Sequence, residues 1–198
     1  VAAADTPHVV FVGASTGGTQ AIQEVLQALP ASGPPVLIVQ HMPENFSQPF
    51  AQRLDSVCEI TVKEAEDGEL VLPGHAYIGP AGRHLLIRKT DAPRRYTLHL
   101  ADADAVNLHK PSIDILFRSA AKRVGALATG VILTGMGKDG VAGLQEMKQA
   151  GASTIAQDES TCVVFGTPRE AIRIGAAGEV LALGRIGPRL CELAKAAS

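Results

Sequence analysis

Cysteine is scarce in this sequence, which contains only Cys58, Cys162 and Cys191 among 198 residues. No two of them have the Cys-x-x-Cys spacing of thiolate metal sites or redox-active disulfides. An odd number of cysteines offers no disulfide framework and is typical of proteins from a reducing compartment. We therefore expect three free thiols and a cytoplasmic location.

The sequence also lacks an excess of charge and a long hydrophobic run. Its 18 lysines and arginines nearly balance 20 aspartates and glutamates, which argues against non-specific binding to nucleic acid. No apolar run approaches the ~20 residues of a membrane-spanning helix, and the first residues, VAAADTP, lack a signal-peptide pattern. We expect no binding to nucleic acid and no insertion into a membrane.

Metal-binding patterns are missing as well. The six histidines form neither an H-x-H nor an H-E-x-x-H pattern. Asp102 and Asp104 lack the spacing of a calcium-binding loop. We therefore expect no metal ion and no cofactor.

What the sequence does contain is a series of short apolar runs. The runs VVFV, VLIV and GVIL are apolar throughout instead of alternating, as is typical of parallel strands covered on both faces. The predicted strands are 8–14, 36–40, 58–62, 84–88, 95–100, 129–134, 153–157 and 179–183, and the predicted helices are 19–29, 112–124, 140–150 and 185–197.

These elements predict one α/β domain over residues 8–198, with a doubly wound, mainly parallel sheet. The middle of the chain, residues 58–100, has strands separated by turn signals and little helix. We interpret that stretch as an appended antiparallel hairpin region, not as a second domain.

The first apolar run ends at a serine surrounded by glycines: residues 9–26 read VVFVGASTGGTQAIQEVL. Three interpretations compete for Ser15: a helix N-cap in a tight turn, part of a phosphate-binding loop, or an exposed nucleophile. The loop is not G-x-G-x-x-G, the second strand ends in Gln40-His41 instead of an acidic residue, and no Walker lysine is present. Nucleotide binding is therefore the weakest interpretation.

A nucleophilic role is favoured by the neighbours of Ser15 and by a histidine at the end of the next strand. Residues 13–17 match G-x-S-x-G, whose small residues permit a sharp turn that exposes the hydroxyl. The run VLIVQ leads directly into His41, and parallel strands end at the same edge of a sheet. His41 is thus placed to take the serine proton. A helix cap, worth ~1 kcal/mol, remains the alternative for the serine.

A carboxylate is expected as the third member, because it would hold the imidazole in one tautomer and orientation. Asp139 lies in a second glycine-rich loop, 135–140, whose backbone N–H groups suit an oxyanion hole. The alternatives are that Asp139 only caps the following helix, or that Asp158 is the acid. The order Ser, His, Asp differs from that of α/β-hydrolases, which indicates a serine hydrolase on another doubly wound sheet.

Several blocks together resemble the catalytic domain of the CheB family, the chemotaxis protein-glutamate methylesterases. They are VGASTGG (12–18), QHMP (40–43), PSIDILFRSAA (111–121), VILTGMGKDG (131–140) and TIAQDES (154–160). The resemblance implies a catalytic triad of Ser15, His41 and Asp139, and it selects Asp139 over Asp158.

The resemblance also implies an activity and a partner. It predicts hydrolysis of glutamate γ-methyl esters on the cytoplasmic helices of methyl-accepting chemoreceptors, with release of methanol, and deamidation of glutamine residues. It further implies that the Met136 backbone N–H donates to the oxyanion and that Thr16 lines the site. A non-catalytic receptor-binding module and a small-molecule serine esterase are the alternative functions.

The chain departs from the family pattern in two places. Family members usually carry an N-terminal receiver domain, and none is visible here, so we interpret residues 1–7 as the remnant of a linker. A receiver domain in a full-length parent is therefore an expected partner. In addition, Thr167 stands where an apolar residue such as methionine is expected, which leaves the three predicted catalytic residues intact.

Overall fold

Apolar runs that end in glycine-rich loops form a seven-stranded sheet in the computed structural model, which describes residues 5–198. These residues contain nine strands, of which β5 and β6 form a separate hairpin. The strands are β1 (Val9–Ala14), β2 (Val36–Gln40), β3 (Thr61–Glu64), β4 (His75–Ile78), β5 (His84–Lys89), β6 (Tyr96–Ala101), β7 (Ala128–Ile132), β8 (Ser153–Gln157) and β9 (Glu179–Leu181). The α-helices are α1 (Gly18–Gln27), α2 (Ser47–Asp55), α3 (Ile113–Arg123), α4 (Val141–Gln149), α5 (Thr167–Arg173) and α6 (Leu183–Ala196).

The main sheet is parallel throughout, in the order β3-β4-β2-β1-β7-β8-β9. Its central strands β1, β2 and β7 are buried along their whole length, as their continuous apolar runs predict. One face packs against α1, α2 and α6, and the other packs against α3, α4, α5 and the β5–β6 hairpin. The predicted fold class, a doubly wound α/β sheet with an antiparallel hairpin, is confirmed.

The interpretation of residues 58–100 as hairpins is right only for the second half of that stretch. β3 and β4 extend the main sheet as parallel strands, with Val62 opposite Ala76, whereas β5 and β6 pair antiparallel. The predicted strand 58–62 begins three residues before β3, and the sequence pattern did not predict β4, α2 or α5. Each of these is nine residues or shorter, which is too short for a clear periodicity.

The β5–β6 hairpin determines where the chain re-enters the sheet. Leu85, Ile87, Leu98 and Leu100 are buried on its inner side, and the Ile87 N–H donates to Ser119 Oγ of α3 at 3.1 Å. The segment after β6 therefore returns along the hairpin to the N-terminus of α3. This path brings residues 107–112 to the carboxyl edge of the main sheet.

The beginning of the described chain packs onto the hairpin side. Residues 1–4 of the predicted linker remnant lie outside the described residues, whereas Thr6 is buried and its N–H donates to the Arg94 carbonyl oxygen at 2.9 Å. Among the helices of residues 5–198, none has the length and apolarity required to cross a membrane.

His8 gives the fold a predictable dependence on pH. It is 5% exposed and lies 2.8 Å from Thr129 Oγ1, and burial lowers its pKa to about 4. Because the unfolded chain binds the proton more tightly, stability is full above pH 6.5 and declines as the pH falls toward 4. We expect the free energy of unfolding to drop by about 2 kcal/mol from pH 7.5 to pH 5 through this residue alone.

Urea unfolding of the wild type and of His8→Gln at the two pH values measures this contribution. The glutamine keeps a polar group beside Thr129 but has no titrating ring, so its stability should fall less over the same interval. An equal fall in both proteins would exclude His8 as the cause.

Candidate active site

The carboxyl ends of three central strands meet where the strand order reverses, between β1 and β7. In open α/β sheets, ligands bind at such a point. Ser15 follows β1, His41 follows β2 and the loop 135–140 comes shortly after β7. Backbone hydrogen bonds join the three segments, since Ser15 N–H donates to Thr134 O and His41 N–H donates to Ala14 O, both at 3.1 Å.

Ser15 lies in a tight turn but does not cap the helix. The N-cap of α1 is Gly17, with φ of 81°, and no side chain caps this helix. A Cβ at Gly17 would lie 2.6 Å from the Cβ of Val163, so glycine is required for both space and conformation. The Ser15 hydroxyl forms no hydrogen bond to another residue within 5–198. The helix-cap interpretation is therefore wrong, because the half-buried Ser15 hydroxyl accepts no hydrogen bond from the N-terminus of α1.

His41 is joined to Asp139 by a short hydrogen bond. Its Nε2 lies 2.7 Å from Asp139 Oδ2, and the two side chains are 9% and 3% exposed. The other ring nitrogen, Nδ1, is buried and has no hydrogen-bond partner in the described part of the chain. His41 and Ser15 line the same cavity of about 540 Å³. The structure thus brings together all three residues of the predicted triad.

Asp139 lies at the N-terminus of α3, not at that of its own helix. It accepts hydrogen bonds from the Ser112 hydroxyl at 2.7 Å and from the backbone N–H groups of Ile113 and Asp114 at 2.8 and 3.2 Å. The helix that follows Asp139, α4, has Gly140 as its N-cap. The interpretation of Asp139 as a simple cap of that helix is therefore wrong, and the positive end of α3 stabilises its charge instead.

The charge state of Asp139 determines the tautomer of His41. Burial raises the pKa of Asp139, but hydrogen bonds from His41, Ser112, Asn107 and the Ile113 N–H outweigh it and lower the pKa to about 2. An ionised carboxylate only accepts hydrogen bonds, so the Nε2 of His41 carries the proton and donates it. In neutral His41, Nδ1 is then the nitrogen with a free lone pair.

Asp158, the alternative acid, lies in a different environment. Its carboxylate caps the short turn Glu159–Thr161, accepting from Thr161 N–H at 3.1 Å and Ser160 Oγ at 2.9 Å. Hydrogen bonds from Thr161 lower its pKa. Asp158 forms no bond to His41 among the described residues, so its position is that of a local cap.

Two loops at this edge carry backbone donors beside Ser15. A Cβ at Gly135 would lie 2.8 Å from the Ser15 Cβ, so the second loop passes directly against the serine. The backbone N–H groups of Thr16 and Met136 have no acceptor among residues 5–198. Thr16 also lines the cavity, and the Met136 side chain is 68% exposed.

This geometry agrees with the resemblance of the sequence to the CheB family. The family model for CheB methylesterase matches residues 10–190. The chain belongs to the CheB methylesterase family. The crystal structure of the Thermotoga maritima CheB methylesterase catalytic domain matches with a TM-score of 0.91 at 41% identity, over 94% of this chain and 98% of that one.

Curated CheB relatives carry the name protein-glutamate methylesterase/protein-glutamine glutaminase. The protein from Paraburkholderia xenovorans (strain LB400) is 59% identical over 185 residues, which cover 93% of this chain and 51% of the relative. That from Bordetella parapertussis (strain 12822) is 57% identical over 188 residues, covering 94% and 53%. The chain spans about half the length of these curated relatives.

Sequence reasoning missed three side chains of this CheB site. Asn107 Nδ2 donates to Asp139 Oδ1 at 2.9 Å, and the ring of His109 stacks on that of His41. Gln40 Nε2 donates to the carbonyl oxygens of Ser15 and His41 at 2.8 and 3.0 Å. Gln40 lies within the block QHMP and His109 within NLHKPS, so adjacency to a recognised block was the available signal.

His84 and Thr167 have structural positions around the CheB site. The N–H of Ser112 donates to His84 Nδ1 at 3.1 Å, so His84 Nε2 carries the proton and donates to Asp104 O at 2.8 Å. Thr167 is buried, and its N–H donates to Gly135 O at 3.0 Å. Residues 5–198 contain no group of three His, Cys, Asp or Glu side chains arranged to hold a metal ion.

Gln40 is expected to stabilise the two loops that carry Ser15 and His41, so its replacement should lower the free energy of unfolding. Gln40→Met keeps the volume and removes two hydrogen bonds, which should lower the free energy of unfolding by about 1–2 kcal/mol. Gln40→Glu turns a donor into an acceptor facing two carbonyl oxygens in a site that is 4% exposed, so the loss should exceed that of methionine. Urea unfolding at neutral pH gives the order, and a glutamate variant as stable as wild type would contradict it.

Proposed function

We propose that this chain hydrolyses the γ-methyl esters of glutamate residues in chemoreceptor proteins and releases methanol. The observation that carries the proposal is that the Ser15 hydroxyl, which has no hydrogen-bond partner among residues 5–198, lines the same cavity as His41, whose Nε2 is bonded to a buried, ionised Asp139. That arrangement suits acyl transfer through a serine. The names of the curated relatives support glutamyl esters and glutamine amides as substrates.

In the proposed first step, Ser15 Oγ attacks the γ-carbonyl carbon while its proton passes to His41 Nδ1. Ser15 and His41 form no hydrogen bond within residues 5–198, and catalytic hydrogen bonds often tighten only when substrate is bound. His41 then gives the proton to the departing methoxide, which leaves as methanol. A water molecule, deprotonated by His41, then attacks the acyl carbon. His41 returns that proton to Ser15 Oγ as the bond between the acyl carbon and Oγ breaks, which restores both glutamate and the serine. Asp139 stays ionised throughout and stabilises the transient imidazolium.

The oxyanion of the tetrahedral intermediate is proposed to lie between two backbone donors. Thr16 supplies the N–H of the residue after the nucleophile, which is the usual donor in a G-x-S-x-G turn. Met136 supplies the second N–H from the opposite loop. Loss of one such donor typically costs about 10²–10³ in rate, so the Met136 backbone is proposed to act regardless of its exposed side chain.

A protein substrate fits the surface around the serine. Four of the seven large hydrophobic side chains that are exposed in residues 5–198 flank this site: Phe46, Leu108, Met136 and Val163. Phe46 lines the cavity, Val163 touches Gly17, and Met136 follows the glycine that contacts Ser15. Clustered exposed apolar side chains mark interaction surfaces for macromolecules. The proposed partner is an amphipathic receptor helix that presents its methylated glutamate to Ser15.

The same site is proposed to deamidate glutamine. A side-chain amide differs from the methyl ester only in its leaving group, and His41 would protonate departing ammonia as it protonates methoxide. A receiver domain that regulates this chemistry from elsewhere in a longer protein stays a prediction.

The decisive experiment measures methanol released from chemoreceptors that carry radiolabelled methyl esters. We expect release at a rate proportional to the concentration of this chain, together with a carboxylate at each former ester detected by mass spectrometry. Turnover of p-nitrophenyl acetate without any methanol from methylated receptor would instead assign a small-molecule esterase. Receptor binding without turnover of either ester would assign a non-catalytic module.

A further inference from the structure

The imidazole of His41 is held on its face as well as on its edge. Its ring lies parallel to that of His109, with a centroid separation of 3.5 Å and an interplanar angle of 5°. The hydrogen bond to Asp139 fixes one ring nitrogen, but a single bond leaves the ring free to tilt about that nitrogen. A flat ring stacked at van der Waals distance removes this tilt.

The chain reaches His109 through an unusual backbone conformation. Asn107 and Leu108 have φ of 53° and 67°, in the left-handed region that non-glycine residues rarely occupy. Asn107 turns inward, where its amide nitrogen donates to Asp139 Oδ1 at 2.9 Å and to Asp114 Oδ2 at 2.7 Å. Leu108 turns outward and is 96% exposed. The two consecutive residues with positive φ thus place Asn107 against Asp139 and His109 against His41.

From this stack we infer that His109 is a positioning residue, whose flat ring fixes the plane of the His41 imidazole and thereby the direction of its Nδ1. His109 acts through the ring of His41 and makes no bond to the substrate or to the proton that is transferred. Asn107 has the corresponding role for Asp139, since its amide ties that carboxylate to the buried Asp114. The inference deepens the proposed function and rests on His41 acting there as the base.

The charges around His109 are consistent with a neutral ring. Burial and the neighbouring His41 lower the pKa of His109, and Asp139 opposes them only in part. A neutral ring can stack on His41 both before and after His41 takes the proton. Lys110, the next residue along the chain, is bound to Asp102 Oδ1 at 2.6 Å and is therefore directed elsewhere.

The test compares three substitutions at one position. His109→Phe keeps a flat ring without nitrogens, His109→Leu keeps volume without a flat ring, and His109→Ala removes both. We expect kcat for ester hydrolysis to fall about 10²-fold in the alanine and leucine variants, the usual effect of a slightly misplaced catalytic group, with KM unchanged. The phenylalanine variant should stay close to the wild-type rate. His99→Ala, a histidine on β6 bound to Asp67, is the matched control and should not change either constant.

A second readout does not depend on the proposed activity. The ¹⁵N chemical shifts of the His41 ring report its tautomer, which should be a single Nε2–H form in wild type and His109→Phe. In His109→Ala and His109→Leu, the His41 signals should shift or broaden as the ring moves. If wild type proves inactive on methyl esters, the proposed function fails while these shifts still decide the role of His109.

Three results would overturn the positioning role. A phenylalanine variant as slow as alanine would mean that a nitrogen of His109 is needed for chemistry. A raised KM with unchanged kcat would place His109 in contact with substrate. Unchanged kinetics and unchanged His41 shifts in the alanine and leucine variants would mean that the stack has no function. Thermal unfolding of each variant identifies any that fail to fold, and the remaining substitutions then carry the comparison.

Discussion

Replacement of Ser15 by alanine is expected to reduce kcat for methanol release by about 10⁴- to 10⁶-fold, as removal of the nucleophile does in serine hydrolases. The residual rate would come from the oxyanion donors and from substrate binding. The fold should be unaffected, because the Ser15 hydroxyl bonds to no other residue in 5–198 and Gly17 is the N-cap of α1. The backbone bonds from Ser15 N–H to Thr134 O and from Gln40 to Ser15 O both remain in the variant.

The measurement is single-turnover methanol release combined with thermal unfolding of the same samples. Ser32→Ala, at an exposed serine on the opposite edge of the sheet between α1 and β2, is the matched control and should be fully active. An alanine variant at Ser15 that keeps more than a small fraction of the wild-type rate would remove Ser15 from the mechanism. The nucleophile would then have to be sought elsewhere in the cavity.

Cys162 does not have the properties of such a nucleophile at neutral pH, and it does not line the cavity that contains Ser15. Burial raises the pKa of its thiol to about 11, whereas a reactive cysteine has a lowered pKa and is present as the thiolate. The free, half-buried state of all three cysteines agrees with the expectation of unpaired thiols.

The second large effect is expected for Asp139→Asn, with a loss in kcat of about 10⁴-fold. Asp139 accepts five hydrogen bonds. Oδ1 accepts from Asn107, Ser112 and the Asp114 N–H, and Oδ2 accepts from His41 and the Ile113 N–H. An asparagine must direct its NH₂ group at some of these donors, and it meets fewer of them on the His41 side. An NH₂ group that faces His41 donates to Nε2 and moves the ring proton to Nδ1. Nδ1, the proposed base, would then carry the proton and could not accept the proton of Ser15.

Asp158→Asn is the matched control, because this aspartate follows β8 and was the alternative candidate for the acid of the triad. Its local cap on the turn 159–161 predicts a small loss of stability and a wild-type kcat. The comparison separates the two carboxylates directly. A larger loss of kcat in Asp158→Asn than in Asp139→Asn would reverse the assignment.

Asp139 also contributes to stability in a pH-dependent way. Its pKa is about 2 in the folded protein, below the usual value near 4. The Asp139 carboxylate therefore binds a proton more weakly in the folded protein than in the unfolded chain. The contribution, about 2 kcal/mol, is therefore present above pH 4 and is lost as the pH falls toward 2. Acid unfolding of Asp139→Asn should lack this component.

The local sequence determined much of this protein. Continuous apolar runs predict β1, β2 and β7 as buried parallel strands, because only strands covered on both faces dispense with alternating polar residues. The residues that follow such strands collect at one edge of the sheet, which is why Ser15, His41 and Asp139 could be named from their positions and from the family blocks. The predicted helix 112–124 likewise begins at the correct residue, because Ser112 is the N-cap of α3 and its hydroxyl accepts from Ile115 N–H.

Tertiary structure alone decided the order of the strands and the surroundings of the triad. β4 is four residues long, and its place between β2 and β3 depends on packing against chain that is distant in sequence. Asn107 and His109 belong to an irregular segment that has no hydrophobic periodicity, so nothing local indicates which way their side chains turn. They reach Asp139 and His41 only because the β5–β6 hairpin packs on α3 and returns the chain to the carboxyl edge of the sheet. The hydrogen bond between Asn107 and Asp139, which are 32 residues apart, arises from this packing, and no local pattern encodes it.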